Sequence, residues 1–419
     1  MLSTEVCNAL YRYAREQNGR NLDIELNGVP VLLIQRHEEA EHVLRARAGN
    51  YRKNMDWFRQ ALGSSRFSED GAAWEVRRHL THEYFTHFDR ERTCRLACRY
   101  AHEATLKLLE DSGDGSIHID DGVLRSMAVS VLVENFFNLP FRDTGIDLQN
   151  IAELMEYGSA YSFVPAGRTD ALYRDALRRL PTLRRRVLQD LRVFRSAHMP
   201  QSRMLDGMLA ADGLSDTGVV LEHELLTFFA AGAETSAATV GWAIYLLAHH
   251  PDIQDRLRDH AIRIHDDVAS NGWAALVAFR ELAQFISEVL RLYPPTPLIA
   301  RLAIAEDHMN GRDIAPGQNV LISFVGIQHD LRHRADPWRL NLEEPARRSI
   351  PTGTNTAFSF GPRICGGKHF ALVEITAFLY TLLIHARFEL TSIEPPRFHW
   401  KSQMLREGGQ PVKVLPLRS

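Results

Sequence analysis

Phe358-Ser-Phe-Gly-Pro-Arg-Ile-Cys365-Gly-Gly367 says more about this chain than any other stretch of it. It sets one cysteine in a tight loop directly before residues 368–383, an amphipathic run that predicts a helix. Gly361, Gly366 and Gly367 permit backbone conformations and close approaches that a Cβ would block. Backbone N–H groups around Cys365 can then point at its sulfur. A thiolate held by amides at a helix N-terminus is stabilised as the anion, below the ordinary pKa of about 8.5. Such a sulfur suits a metal, and a single sulfur with no neighbouring cysteine suits haem iron better than zinc. The competing reading is a buried structural thiol.

The pattern Phe-x-x-Gly-x-Arg-x-Cys-x-Gly, filled by Phe358, Gly361, Arg363, Cys365 and Gly367, resembles the haem loop of the cytochrome P450 family. Three further segments resemble that family in the same order. Glu288-Val-Leu-Arg291, followed by Leu-Tyr-Pro-Pro, is similar to its Glu-x-x-Arg helix; the two charges share a helix face, and the prolines stop the helix. Residues 225–239, apolar but for Gly232, Glu234 and the hydroxyl residues, resemble the central helix that crosses the open face of the haem. A glycine there costs about 1 kcal/mol, which suggests that room is needed. The Thr235 hydroxyl can bond back to a preceding carbonyl and open a notch. Trp74-Glu-Val-Arg77-Arg78 resembles the helix that meets a haem propionate, and Arg301 a further propionate ligand. The family's Phe-x-Pro-x-Arg-Phe is degraded to residues 333–347, so the arginine that joins Glu288 and Arg291 is expected at Arg347.

The chain has 419 residues and a formal charge of −3, enough for one large core and too balanced for nucleic acid as the main partner. Glycine and proline are spread evenly, so a single domain over 1–419 is expected. No apolar run reaches about 18 residues and the start lacks a signal-peptide pattern, which predicts no membrane anchor and a cytoplasmic location. The length resembles bacterial members, which work as monomers, often in secondary metabolism. Cys94 and Cys98, one turn apart, are expected to be reduced thiols.

A mostly helical chain with small β-sheets (α+β) is predicted. An alternating hairpin with an Asn27-Gly28 turn spans about 20–35. Helices fill the core from 37 to 386, broken by a loop at 54–71, with strands at 298–305, 319–322, 387–390 and 411–415. This order matches the family's fold, a triangular helical prism with haem between the central helix and the Cys365 helix.

The resemblance implies a monooxygenase using haem b (iron protoporphyrin IX). Cys365 would be the iron's axial ligand and Phe358 would shield it. Thr235 and Glu234 would deliver protons. Trp74, Arg78, Arg301 and Arg363 would seat the propionates, and Gly361, Gly367 and Gly232 would make room for the ring. Phe228, Ala231, Leu298, Ile299 and Met404 would line an apolar pocket for a small organic substrate. NAD(P)H electrons would arrive through a ferredoxin and its reductase, docked by basic residues including Arg77, Arg347, Arg348, Lys368 and His369. The arginines at 178, 179, 184, 185, 186, 192 and 195 read as a solvated lid face or a dock for a carrier protein bearing the substrate. A peroxide-driven peroxygenase, or a haem sensor or electron carrier without enzymatic activity, are the alternatives.

Overall fold

The computed structural model describes residues 2–111, 118–119, 121–163, 171–198, 210–212, 218–342 and 356–417. Its axis is the 29-residue helix Leu221–His249, about 43 Å long at 1.5 Å per residue. Apolar residues cover almost its whole circumference, so it is buried on nearly all sides, as a helix at the centre of a bundle must be. Glu222 and Glu224 in its first turn complement the helix dipole. It packs on Asp121–Phe137 and on Lys368–His385, the helix that follows the cysteine loop. That cysteine helix also lies along Arg90–Asp111. Ala171–His198 crosses the far end of the central helix and carries Pro181, which removes one helical hydrogen bond.

The β portion flanks this helical core. Five strands run in the order Leu22–Leu26, Val29–Ile34, Asn319–Ser323, Leu298–Ala303 and Tyr51–Arg52. The expected hairpin is present, with Asn27 and Gly28 at φ 53° and 82°, the left-handed pair that a two-residue turn requires. One small core beneath this sheet gathers Leu32, Ile34, Ile322, Phe324 and Phe360, so the cysteine loop is anchored to the sheet by its own phenylalanine. A second sheet joins His118–Ile119, Gln410–Pro416 and Ala386–Leu390. Two hairpins pair Asp307–Met309 with Arg312–Ile314, and Phe398–Trp400 with Met404–Arg406.

The expected loop at 54–71 contains a helix, Asp56–Leu62. Phe58, Ala61 and Leu62 bury one face of it, a period too short to stand out against the polar residues around it. Among the described residues no helix is long and apolar enough to cross a membrane.

Candidate functional site

The loop before Cys365 is held open by backbone geometry. Gly361 sits at φ 75°, and a Cβ there would lie 2.0 Å from the Leu44 carbonyl oxygen. Ser359 is also left-handed, at φ 58°. The Cys365 N–H donates to the Phe358 carbonyl at 2.9 Å, closing the loop on itself. Phe358 therefore acts first through its carbonyl, while its ring lies 5.7 Å from the Lys368 ammonium. A Cβ on Gly367 would meet no protein atom within 4 Å, so this position opens onto space beside the sulfur.

Amides of Gly367 and Lys368 hydrogen-bond the Cys365 sulfur and pull its pKa down, as do the charges of Arg66 and Lys368. Burial outweighs them and pushes the thiol up. The expectation of a lowered thiol is thus corrected: the side chain is accessible, yet surrounding protein is dense enough for desolvation to dominate. The amides select the anion only alongside a cation bound to the sulfur. Among the described residues no cluster of three His, Cys, Asp or Glu side chains could hold a metal ion.

Along the central helix, from Leu221 to Ala248, the residues that are not buried are His223, Thr227, Ala231, Gly232 and Thr235. Thr235 Oγ1 donates to the Ala231 carbonyl at 3.0 Å, the back-bond expected of it. Glu234 is 2 % exposed and faces away from this opening. Its carboxylate lies 2.8 Å from Arg125 Nε and accepts from Gln403 Nε2 at 2.6 Å, and burial pushes its pKa up. Gly232 lies beside this opening and also against the neighbouring helix. A Cβ there would come within 2.8 Å of Leu132, so the glycine serves the packing of the central helix on Asp121–Phe137.

Trp74, Arg78 and Arg363 come together. The Arg363 guanidinium lies 4.3 Å from the centre of the Trp74 ring and that of Arg78 5.5 Å. Arg301 is 6 % exposed and donates to the Ala300 carbonyl at 2.8 Å; burial pushes its pKa down to about 10. Burial does the same to Arg363, whose pKa also falls to about 10, and Arg301 and Arg363 repel one another. Buried cations of this kind fit an anionic ligand.

The pocket expectations need correction. Ala231 and Ile299 are accessible, but Leu298 packs among Val6, Leu10 and Leu33 on the opposite face of the sheet from the Phe360 core. Met404 is fully buried, with its carbonyl accepting from Trp242 and its N–H donating to Pro295, so it offers a pocket no surface. Phe228 is buried among Phe85, Phe136 and Phe137.

Glu288 and Arg291 form the expected pair with two contacts of 2.7 Å, both residues 5 % exposed. The additional arginine among the described residues is Arg334, 3.3 Å from Glu288. Arg347 and Arg348 lie outside the described residues. Arg77 is not a docking residue: it is 3 % exposed and bound to Glu224 at 2.9 Å. In the arginine-rich helix Ala171–His198, Arg178 and Arg179 pair with Asp175, and Arg195 with Asp212 and Glu222. Arg184 contacts His223. Cys94 and Cys98 are free thiols.

A model of the cytochrome P450 family matches residues 3–414. The chain belongs to the cytochrome P450 family. It is 33 % identical over 267 residues to human cytochrome P450 4F12, covering 59 % of this chain and 48 % of that protein. It is 33 % identical over 188 residues to mouse cytochrome P450 4X1, covering 42 % and 36 %, and 32 % identical over 189 residues to cockroach (Blattella germanica) cytochrome P450 6l1, covering 42 % and 37 %. The chain spans about half or less of the length of these curated relatives. All three are animal proteins and lend nothing to the expectation of a bacterial-type member.

Cytochrome P450s carry haem b, and the residues here fit it: one sulfur under two amides, and cations that the protein leaves under-compensated. Two contributions were invisible in the motifs. Arg125 and Gln403, which hold Glu234, come from distant segments. Glu374 of the cysteine helix, fully buried, accepts from Ser236 Oγ at 2.7 Å and ties that helix to the central one.

Proposed function

We propose that this cytochrome P450 is a haem-thiolate monooxygenase acting on a largely apolar small organic substrate. The observation that carries this reading is the Cys365 sulfur, accessible and capped by the Gly367 and Lys368 amides, in a chain whose central helix opens at Ala231 and Thr235. Haem bound at Cys365 would supply dioxygen activation, with one oxygen atom passing to the substrate and the other leaving as water.

The chain's own residues would do the rest. Thr235 presents its hydroxyl at the opening, fixed by its bond to Ala231. Glu234, the next residue, is held by Arg125 and Gln403 with its pKa pushed up by burial, and would feed protons toward that hydroxyl. Arg301 and Arg363 would receive the propionates of the haem. Ala231 and Ile299 offer apolar surface to a substrate. Electrons derived from NAD(P)H would come from a separate redox protein, and a ferredoxin system is the partner to test first, in a cytoplasmic setting. The exposed Arg45, whose guanidinium lies 6.0 Å from the Phe360 ring, and the exposed His369 support an acidic partner. Reduction rates that do not change with salt would count against that docking.

The test is the carbon monoxide difference spectrum of the dithionite-reduced protein. A strongly red-shifted Soret band is expected, lost in Cys365→Ser together with turnover. A band at the position of histidine-ligated haem would refute the assignment.

A further inference from the structure

A row of aromatic rings runs from the middle of the central helix to the surface, and nothing in the site described above uses it. It starts at Trp242, which is fully buried and lies seven residues beyond Thr235. Seven residues are close to two helical turns, so Trp242 is on the same side of the helix as Thr235, about 10 Å further along its axis. The Trp242 ring stacks on Tyr293, with centres 4.1 Å apart and planes 10° from parallel. Phe398 lies 5.7 Å from Trp242 and 6.3 Å from Tyr293. On its other side Phe398 stacks on Tyr11, at 4.1 Å and 24°. Tyr11 in turn lies 6.2 Å from Trp338, a half-buried ring with the exposed Arg15 guanidinium 4.2 Å from its centre.

Packing alone asks only for apolar volume here, and leucine would supply it. These rings also have their polar handles fixed. Trp242 Nε1 donates to the Met404 carbonyl at 3.0 Å, and the Tyr11 hydroxyl donates to the Leu292 carbonyl at 2.8 Å. A carbonyl accepts a hydrogen bond but does not take the proton, so Tyr11 cannot shed its proton there on losing an electron. Burial pushes the pKa of Tyr11 and of Tyr293 up, which keeps both protons in place. An indole can give up an electron while it keeps its N–H. Trp242 and Trp338 are therefore the two stations of the row, and Tyr293, Phe398 and Tyr11 are the ring-to-ring bridge between them. The Arg15 charge makes an electron vacancy on Trp338 harder to hold and draws an anionic reductant to fill it.

We propose that this row is an exit for oxidising equivalents, joining the haem site to the surface at Trp338 and giving the protein a second activity, the reduction of hydrogen peroxide by a soluble anionic reductant such as ascorbate. This rests on the haem-thiolate reading above. When peroxide reaches the haem with no substrate to oxidise, an electron leaves Trp242 toward the haem. Trp242 is refilled from Trp338 across the bridge, and Trp338 from ascorbate at the surface. Two such electrons and two protons from solvent break the O–O bond of one peroxide and give two waters, while one ascorbate is oxidised by the same two electrons.

The test mixes substrate-free holoprotein with hydrogen peroxide and freezes it for electron paramagnetic resonance, with ring-deuterated tryptophan to assign the signal. Wild-type protein should show a tryptophan radical that ascorbate, added before freezing, removes. Trp242→Phe keeps a ring in place, and its carbon monoxide spectrum checks that haem is bound. It should lose the radical, and peroxide should bleach its haem several-fold faster. Trp338→Phe should keep a radical, on Trp242, that ascorbate clears several-fold more slowly. A wild-type radical in Trp242→Phe would overturn the proposal, and faster bleaching beside that radical would mark a packing role. Clearance by ascorbate at the wild-type rate in Trp338→Phe would overturn it too, and this surface variant decides alone if Trp242→Phe does not fold. If wild-type protein itself shows no thiolate-ligated haem, the haem reading fails and this proposal with it, an outcome distinct from the others.

Discussion

Replacing Arg291 by methionine tests whether the pair behind the cysteine loop is structural in the way its geometry demands. The Arg291 guanidinium meets Glu288 with Nε to Oε1 and Nη2 to Oε2 both at 2.7 Å, and the same guanidinium caps two carbonyls, those of Pro337 and Arg339. Methionine fills the volume but removes every one of these donors. Breaking a buried ion pair by removing one partner costs about 3–5 kcal/mol, because the other charge stays buried. Arg334 at 3.3 Å and the Asn341 N–H at 3.2 Å still compensate Glu288, which sets that part near the lower bound. Two uncapped carbonyls add about 1–3 kcal/mol each when no water reaches them, and the Arg339 carbonyl is only partly buried. A loss of about 4 kcal/mol is expected, a large fraction of an ordinary domain's stability. It is read from urea midpoints at constant slope, with the Soret band following haem in parallel. The double variant Glu288→Leu with Arg291→Met leaves no stranded charge and should lose less than Arg291→Met alone. A single-variant loss below about 1 kcal/mol, or a double variant as unstable as the sum of the two single changes, would refute the reasoning.

Thr235→Ala removes the hydroxyl fixed on Ala231 and should leave haem binding intact while diverting electrons to hydrogen peroxide; cofactor oxidation measured against product would show no change if the residue is idle. Gly361→Ala forces a side chain into a left-handed position and against the Leu44 carbonyl, so holoprotein yield and thermal midpoint should both fall, and wild-type values would refute the close approach. Burial pushes the Glu224 carboxyl up to about 7, so the folded state binds that proton more tightly than the unfolded chain does. Its contribution to stability is complete below the unfolded value of about 4.5 and is lost as pH rises through about 7. Wild-type urea midpoints should fall between about pH 5 and about pH 8, and Glu224→Gln should flatten that fall; parallel profiles would exclude Glu224 as the titrating group.

The sequence by itself determined the features that are local in the chain. The spacing of Phe358, Gly361, Arg363, Cys365 and Gly367 marks a loop that only a backbone with left-handed positions can make, and Glu288 and Arg291 must share a helix face three residues apart. The Asn27-Gly28 hairpin and the back-bond of Thr235 are likewise decided within four residues. What depends on distant contacts was not legible. Gly232 lets the central helix approach Leu132, Arg77 turns inward to Glu224 while Arg78 stays outside, and Leu298 and Met404 are packed into cores. Each of these depends on which helix face or strand side meets a neighbour more than forty residues away, and residue type does not encode that choice. The same reason hid Arg125 and Gln403 behind Glu234, and Arg334 behind Glu288. Motif spacing fixes which side chains are available for the chemistry; tertiary packing decides which of them remain exposed to a ligand, because burial removes a polar group from that role once the protein itself satisfies it.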